Sequence, residues 1–227
     1  MTLQDEKRIR LYGDVRPWTA QEMASNIASD LPNGIYVNLG IGRPTRVAAE
    51  LDPAKGILFH SENGILGLGP PPEDGFFDPD LIDAGKNLAT VVPGGSFFSH
   101  AEAFAMIRGG HIDVSIMGAF QVSQDGDLAN WAVPEQKLPA VGGAMDLAVG
   151  ARLIVAMMTH TTSAGEPKLV QECSYPVTAS AVVSRVYTDL IVANVVDHGF
   201  EVIDAAPGVD AQLVDRVTDA KITWCIN

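Results

Sequence analysis

The chain has 227 residues, of which 47% are hydrophobic and 19% charged, and its formal net charge is -13. That composition supports a full apolar core and excludes a disordered chain, and so acidic a surface repels phosphate backbones, which excludes nucleic acid as a partner. No run of about 18 apolar residues is present to span a membrane, and the polar opening stretch MTLQDEKRIR, with its acidic residues, is neither a signal nor a transit peptide, so a cytoplasmic protein is expected.

Residues 1–18 carry mixed charge without a period and read as an N-terminal extension, with residues 19–227 as a single domain. The stretch TAQE predicts a capping box, with Thr19 as N-cap and Glu22 at the third helical position. Met23, Ile27 and Leu31 follow at a spacing of four and give a buried helical stripe, which Pro32 and Gly34 stop. IYVNL (35–39) predicts a strand, GIGRPT turns the chain into a short helix through Val47 to Leu51, and GILFH (56–60) predicts the next strand. Residues 67–80, rich in Gly, Pro and Asp, read as a long surface loop.

A strand near 89–92 follows, then a second capping box, SHAE (99–102), opens a helix that ends at RGG (108–110). IDVSIMG (112–118) and RLIVAMM (152–158) predict strands, separated by an Asp-Gly turn at 125–126 and a short helix opened by the glycines of GGAMDLAVGA. Further strands are expected at 168–172, 190–196 and 200–204, and VDAQLVDRV suits a final helix. Strands and helices alternate, and several strands are apolar on both faces. The pattern predicts an α/β fold with a mixed, largely parallel sheet covered by helices on both faces.

Two cysteines, Cys173 and Cys225, stand in unrelated contexts and are expected to be reduced thiols. The five histidines form neither HxxxH nor HxH, so no metal site is expected. Glycine clusters occur as GIG (40–42), GILGLG (64–69), PGG (93–95), RGG (108–110) and VGGAMD (141–146). None is GxGxxG after a strand, and no Walker A lysine is present. Several clusters after predicted strands nevertheless fit a ligand site beyond the carboxyl ends of the strands, where glycine lets backbone N–H groups come close.

Glu62, in the stretch HSENGILGLGP, follows a predicted strand at that same edge. Its bland reading is a solvated glutamate beside an Asn-Gly turn. Its sharper reading is a nucleophilic carboxylate, suited to a substrate with a good leaving group such as a thioester. There is no GxSxG elbow and no cysteine in an electropositive context to compete with it.

The segments SENGILGLGP, DLIDAGK, FAMIRGGHIDVSIMGAFQVSQDGDLANW and GGAMDLAVGAR resemble the B (β) subunit of the family I coenzyme A transferases, the 3-oxoacid group, from about Met23 to about Val217. The resemblance implies the fold shared with sugar-phosphate isomerases. It implies Glu62 as the nucleophile that forms a glutamyl-CoA thioester, and contacts to the reacting carbonyl from Asn63, Gly142, Gly143 and Ala144, with the Gly143 N–H as oxyanion donor. Gly40, Gly42 and Arg43 become substrate-pocket candidates, Arg43 standing where the family usually has an apolar residue. No metal or cofactor is implied, since coenzyme A is itself a substrate alongside acyl-CoA and carboxylic acids. A homologous A (α) subunit is implied as partner, in an α2β2 heterotetramer. YVNLGIG and SRVYTDLIV look closest to subunits acting on 3-oxoadipate, with acetoacetate enzymes sharing nearly all the same motifs. A thioester hydrolase using the same glutamate, and a non-catalytic ligand-binding domain of the related fold, stand as the alternatives.

Overall fold

The protein is described by a computed structural model covering residues 11–73, 77–133 and 140–226. Helix α1 (Ala20–Asp30) starts where its capping box predicts: Thr19 Oγ1 accepts from the Glu22 N–H at 3.1 Å, and the Glu22 carboxylate accepts from the Thr19 N–H at 2.7 Å. Its far end is capped from outside the helix. The Lys55 ammonium donates to the carbonyls of Ala28, Ser29 and Leu31, placing a positive charge at the negative end of the helix dipole.

The chain then runs through β1 (Tyr36–Leu39), a 3-10 turn (Arg43–Arg46) leading into α2 (Val47–Glu50), β2 (Leu58–Ser61), β3 (Ile65–Leu68), β4 (Val91–Phe97) and α3 (His100–Arg108). Strands β5 (Val114–Met117), β6 (Gln121–Ser123) and β7 (Leu128–Ala129) precede α4 (Ala144–Gly150). After it come β8 (Leu153–Met157), β9 (Leu169–Val170), β10 (Val183–Tyr187), β11 (Ile191–Val196), β12 (Gly199–Ala205), α5 (Ala211–Arg216) and β13 (Ile222–Trp224).

Among the described residues, ten strands form one sheet in the order β13-β12-β11-β10-β8-β5-β1-β2-β3-β4. Its centre, β2-β1-β5-β8-β10, is parallel, and antiparallel pairs flank it on both sides. A small second sheet, β7-β6-β9, stands apart. Alternate residues of the central strands feed two separate cores, as the pleat requires. Ile154 and Ala156 join Phe104, Ile107, Leu147 and Leu213 under α3, α4 and α5. Val155 and Met157 join Met23, Ile27, Val37 and Phe59 under α1.

Three features depart from the reading of the sequence. Strand β3 lies within the glycine-rich GILGLG stretch, where Ile65 and Leu68 are buried and the register shifts between Leu66 and Leu68. Glycine reads locally as a turn, but pairing with β2 and β4 overrides that preference. The strand expected near 89–92 runs on to Phe97 and carries the PGG cluster inside it, which is tolerable because β4 is an edge strand. Strands β10 and β13 carry no clear alternating pattern in the sequence and form by pairing with their neighbours.

Within the N-terminal segment, residues 1–10 lie outside the described residues, as do 74–76 of the predicted loop. Residues 11–18 are tied to the domain. Tyr12 is buried, with its hydroxyl 2.8 Å from Thr161 Oγ1, and the Trp18 N–H donates to the Asp189 carbonyl at 2.8 Å.

Helix α3 also opens on its predicted capping box, with Ser99 Oγ accepting from the Glu102 N–H and the Glu102 carboxylate accepting from the Ser99 N–H. It is clamped to α4 by an Arg108–Asp146 ion pair at 2.8 Å, and Gly150 approaches so closely that a Cβ there would lie 2.5 Å from the Ile107 carbonyl oxygen. Loss of the cap in Ser99→Ala is expected to cost about 1 kcal/mol of stability. Urea denaturation followed by circular dichroism measures it, and an unchanged midpoint would show that the cap does not support α3.

Candidate functional site

Glu62 stands immediately after β2, in the turn that leads into β3. The turn closes with the Gly64 N–H donating to the Ser61 carbonyl at 3.0 Å. Gly64 has φ +110°, and a Cβ there would lie 2.1 Å from the Phe98 carbonyl oxygen, so only glycine fits. Ser61 Oγ donates to Asn63 Oδ1 at 2.6 Å and accepts from the Ala84 N–H at 3.1 Å, while Asn63 Nδ2 donates to the Ile82 carbonyl at 2.7 Å. The SENG stretch is thus pinned to residues 82–84 by its own side chains. On the other side, His100 Nδ1 donates to the Glu62 carbonyl oxygen at 2.8 Å, and the His100 ring packs on Phe104 with centroids 4.8 Å apart.

The Glu62 side chain lines a cleft of about 560 Å³. The cleft opens beyond the carboxyl ends of four parallel strands: Gly40 and Ile41 follow β1, Glu62 follows β2, Gly118 to Phe120 follow β5, and Met158 follows β8. Ala140 to Ala144, at the entry to α4, line it beside Glu62. A Cβ on Gly143 would lie 3.2 Å from Glu62 Oε2 and 2.6 Å from Phe104 Cζ. Gly143 has φ -83°, a conformation open to any residue, so glycine is required there for room. Gly142 has φ +53°, and its requirement is conformational.

The predicted site residues divide accordingly. Gly40, Arg43, Glu62, Gly142, Gly143 and Ala144 line the cleft. The Ala144 N–H is engaged with the Val141 carbonyl at 3.1 Å, whereas no backbone acceptor among the described residues takes the Gly143 N–H. Gly42, with φ +94°, is not part of the lining and serves the turn that brings Ile41 and Arg43 to it. Asn63 does not line the cleft either, its amide being committed to Ser61 and Ile82. Of the other glycine clusters, PGG lies inside β4 and RGG ends α3, both away from the cleft.

Lys168, which the sequence does not mark, is buried and lines the same cleft. It precedes β9, and a lone lysine before two apolar residues carries no local signal of a site. Only the pairing of β9 with β6 brings it there. Asn130, Leu147 and the methionines 117, 157 and 158 complete the lining, and nothing in their spacing announces it.

Burial raises the Glu62 pKa above the usual 4.5, an effect that electrostatic attraction towards the neighbouring His100 partly opposes. Among the described lining residues Glu62 is the one carboxylate, and no serine, cysteine or histidine competes with it as nucleophile. The site can therefore present a partly desolvated carboxylate close to a residue whose backbone N–H no described backbone carbonyl takes, an arrangement suited to attack on a carbonyl whose oxygen gains charge.

The Coenzyme A transferase family model matches residues 20–219. The chain is 55% identical over 202 residues to the B (β) subunit of the 3-oxoadipate CoA-transferase of Pseudomonas putida, covering 88% of this chain and 94% of that protein. It is 48% identical over 194 residues to the B (β) subunit of the succinyl-CoA:3-ketoacid coenzyme A transferase of Helicobacter pylori, covering 86% and 93%. Among solved structures, an acyl-CoA transferase from Escherichia coli O157:H7 superposes with a TM-score of 0.71 at 20% identity, over 93% of this chain and 43% of that one, so that this chain spans less than half of its length. The glutaconate coenzyme A-transferase of Acidaminococcus fermentans gives a TM-score of 0.65 at 14% identity, over 92% and 87%. These two structural likenesses bear on the fold alone.

A raised carboxylate pKa means that the folded chain holds the Glu62 proton more tightly than the unfolded chain does, so ionised Glu62 costs stability once the pH exceeds the folded value. Glu62→Gln is accordingly expected to melt at the same temperature or higher at pH 7, and carbon NMR of the labelled wild-type carboxyl group should titrate above 4.5. A titration below that value, or a clear loss of stability in Glu62→Gln at pH 7, would contradict the desolvated setting.

Proposed function

This chain belongs to the coenzyme A transferase family, and on that footing we propose that it is the catalytic β subunit of a 3-oxoacid CoA-transferase with Glu62 as its nucleophile. The observation that carries the assignment is the Glu62 carboxylate lying close beside Gly143 in the cleft, with the Gly143 N–H lacking a backbone acceptor among the described residues.

In the first step a Glu62 carboxylate oxygen attacks the thioester carbon of the donor acyl-CoA. The C–S bond breaks, leaving a mixed anhydride and CoA thiolate. The Gly143 N–H is placed to donate to the oxyanion that forms on the way. The thiolate then attacks the glutamyl carbonyl carbon, the C–O bond breaks, and the donor acid leaves as its carboxylate. What remains is a glutamyl-CoA thioester. The acceptor carboxylate attacks that thioester, and the same two steps in reverse deliver acyl-CoA and free Glu62. Coenzyme A is a substrate, and the sequence of steps calls for no metal or redox group.

The names of the relatives support a 3-oxo acid acceptor, 3-oxoadipate foremost, with succinyl-CoA as donor. An acid such as 3-oxoadipate carries a second carboxylate away from the reacting one. Arg43 and Lys168 are the cations among the described lining residues, and positive charge on the wall of the cleft favours an anionic acid over a neutral one. Relatives named as β subunits support an α subunit as partner, in an α2β2 assembly. Among the described residues no helix is long and apolar enough to cross a membrane, and a cytoplasmic location is part of the same proposal.

The test uses the chain together with its α subunit. Incubation with acyl-CoA alone, followed by borohydride, is expected to inactivate the complex and reduce Glu62, and peptide mapping that finds the modification elsewhere would overturn the assignment. The isolated chain is expected to show no transfer until the α subunit is added. Gly143→Val keeps its N–H, but its side chain would meet Phe104 and the Glu62 carboxylate, and the resulting displacement of the reacting groups should slow thioester formation by about 10². Its melting temperature is read alongside, and a rate loss fully explained by unfolding would remove Gly143 from the mechanism.

A further inference from the structure

The small sheet β7-β6-β9 has one end in the cleft. Strand β6 pairs antiparallel with β7 and parallel with β9, so the chain leaves β7 at the same end where it enters β6 and β9. At that end stand Asn130 after β7, Phe120 before β6 and Lys168 before β9, and all three line the cleft. Two backbone bonds fix their level: the Phe120 N–H donates to the Ala129 carbonyl at 2.8 Å, and the Val122 N–H to the Lys168 carbonyl at 2.9 Å. This part of the lining is built from other segments than the Glu62 turn and the entry to α4.

Asn130 is held there by its side chain. The hydroxyl oxygen of the buried Thr178 accepts from the Asn130 backbone N–H at 3.2 Å, and the hydroxyl donates to Asn130 Oδ1 at 2.7 Å. The threonine is fixed in turn: its N–H donates to the Leu128 carbonyl at 2.6 Å, and the Leu128 N–H donates to the Ala179 carbonyl at 2.9 Å. The orientation of the amide follows from this pairing. Reversed, it would leave the hydroxyl proton of a buried threonine without an acceptor among the described residues. Oδ1 is thus taken, and the NH2 group is the end of the side chain that remains. Asn130 Nδ2 bonds to no described residue, yet it is not one of the buried polar atoms that lack a partner, so solvent reaches it in a residue that lines the cleft. This group can only donate, and it calls for an acceptor on the molecule that enters.

We propose that Asn130 is a specificity-determining residue of the cleft: its amide, oriented by Thr178, donates to the remote carboxylate of a dicarboxylic acyl group, the end that does not react with Glu62. Lys168 stands at the same end of the small sheet, so this part of the lining combines a cation with an oriented N–H donor. Hydrogen bonds to an ionised acceptor are roughly twice as strong as those between neutral groups, which favours a carboxylate there. The methyl end of an acetoacetyl group offers the amide no acceptor. The inference rests on the transferase reading of the site and names the side chain that reads the acid.

The test compares two acyl donors in the complex with the α subunit, succinyl-CoA with a remote carboxylate and acetoacetyl-CoA without one. Asn130→Ala should lower kcat/KM for thioester formation from succinyl-CoA by about tenfold or more, the usual effect of losing a hydrogen bond to a charged group, and from acetoacetyl-CoA by no more than about twofold. Thr178→Val, which frees the amide to turn, should shift the ratio of the two donors in the same direction, and Thr178→Ser should restore it. An unchanged ratio in Asn130→Ala, or an equal loss with both donors, refutes the role, because a merely structural asparagine would slow both alike. If Asn130→Ala does not fold, a crystal structure of the wild-type complex with succinate decides: a carboxylate oxygen within about 3.2 Å of Asn130 Nδ2 supports the proposal, and succinate bound elsewhere overturns it. Absence of the thioester on Glu62 in the wild-type complex would instead remove the transferase reading, and is seen before any variant is compared.

Discussion

The site depends on one close approach. The entry to α4 passes so near to Phe104 of α3 and to the Glu62 carboxylate that a single added carbon at Gly143 would meet both. Everything around it serves to hold that distance. Ser61 and Asn63 tie the Glu62 turn to residues 82–84, His100 ties it to α3, and the Arg108–Asp146 pair ties α3 to α4. A packed interior transmits a shift in any of these elements to the gap itself, because close-packed side chains leave little room to absorb it.

The electrostatics of the cleft differ from those of the chain as a whole. A net charge of -13 would repel the anionic acids and coenzyme A that the proposed reaction uses, yet Lys168 and Arg43 line the cleft. Local charge decides binding at contact distance, while the overall charge acts over the screened range of solvent. Glu62 is held in the same spirit: burial makes its charge costly, and a carboxylate poorly stabilised by water gives up less on bonding to carbon. The penalty falls on the group proposed to react and is offset in the two apolar cores.

Much of this was legible in the sequence. Both capping boxes, at Thr19 with Glu22 and at Ser99 with Glu102, open helices as read, because a cap involves residues three apart and needs no knowledge of the rest of the chain. The apolar strands and their alternation with helices announced a parallel sheet centre, and Glu62 stood out as a carboxylate just beyond a strand. Gly64 could be assigned to a turn, though not to the contact with the Phe98 carbonyl that makes it irreplaceable.

Other features were decided only when distant segments met. The glycines of GILGLG became strand rather than turn because β2 and β4 supplied partners on both sides. Tyr12, in a segment without any period, is buried in the core under α3 and α4. Lys168 reaches the cleft through the pairing of β9 with β6, and Gly143 is glycine because of Phe104, which lies 39 positions earlier in the chain. Local backbone preferences and periodicities act over a few residues and were readable as such. The room left at one Cβ, or the wall that a buried cation faces, is set by contacts between residues far apart in sequence, and those exist only in the folded chain.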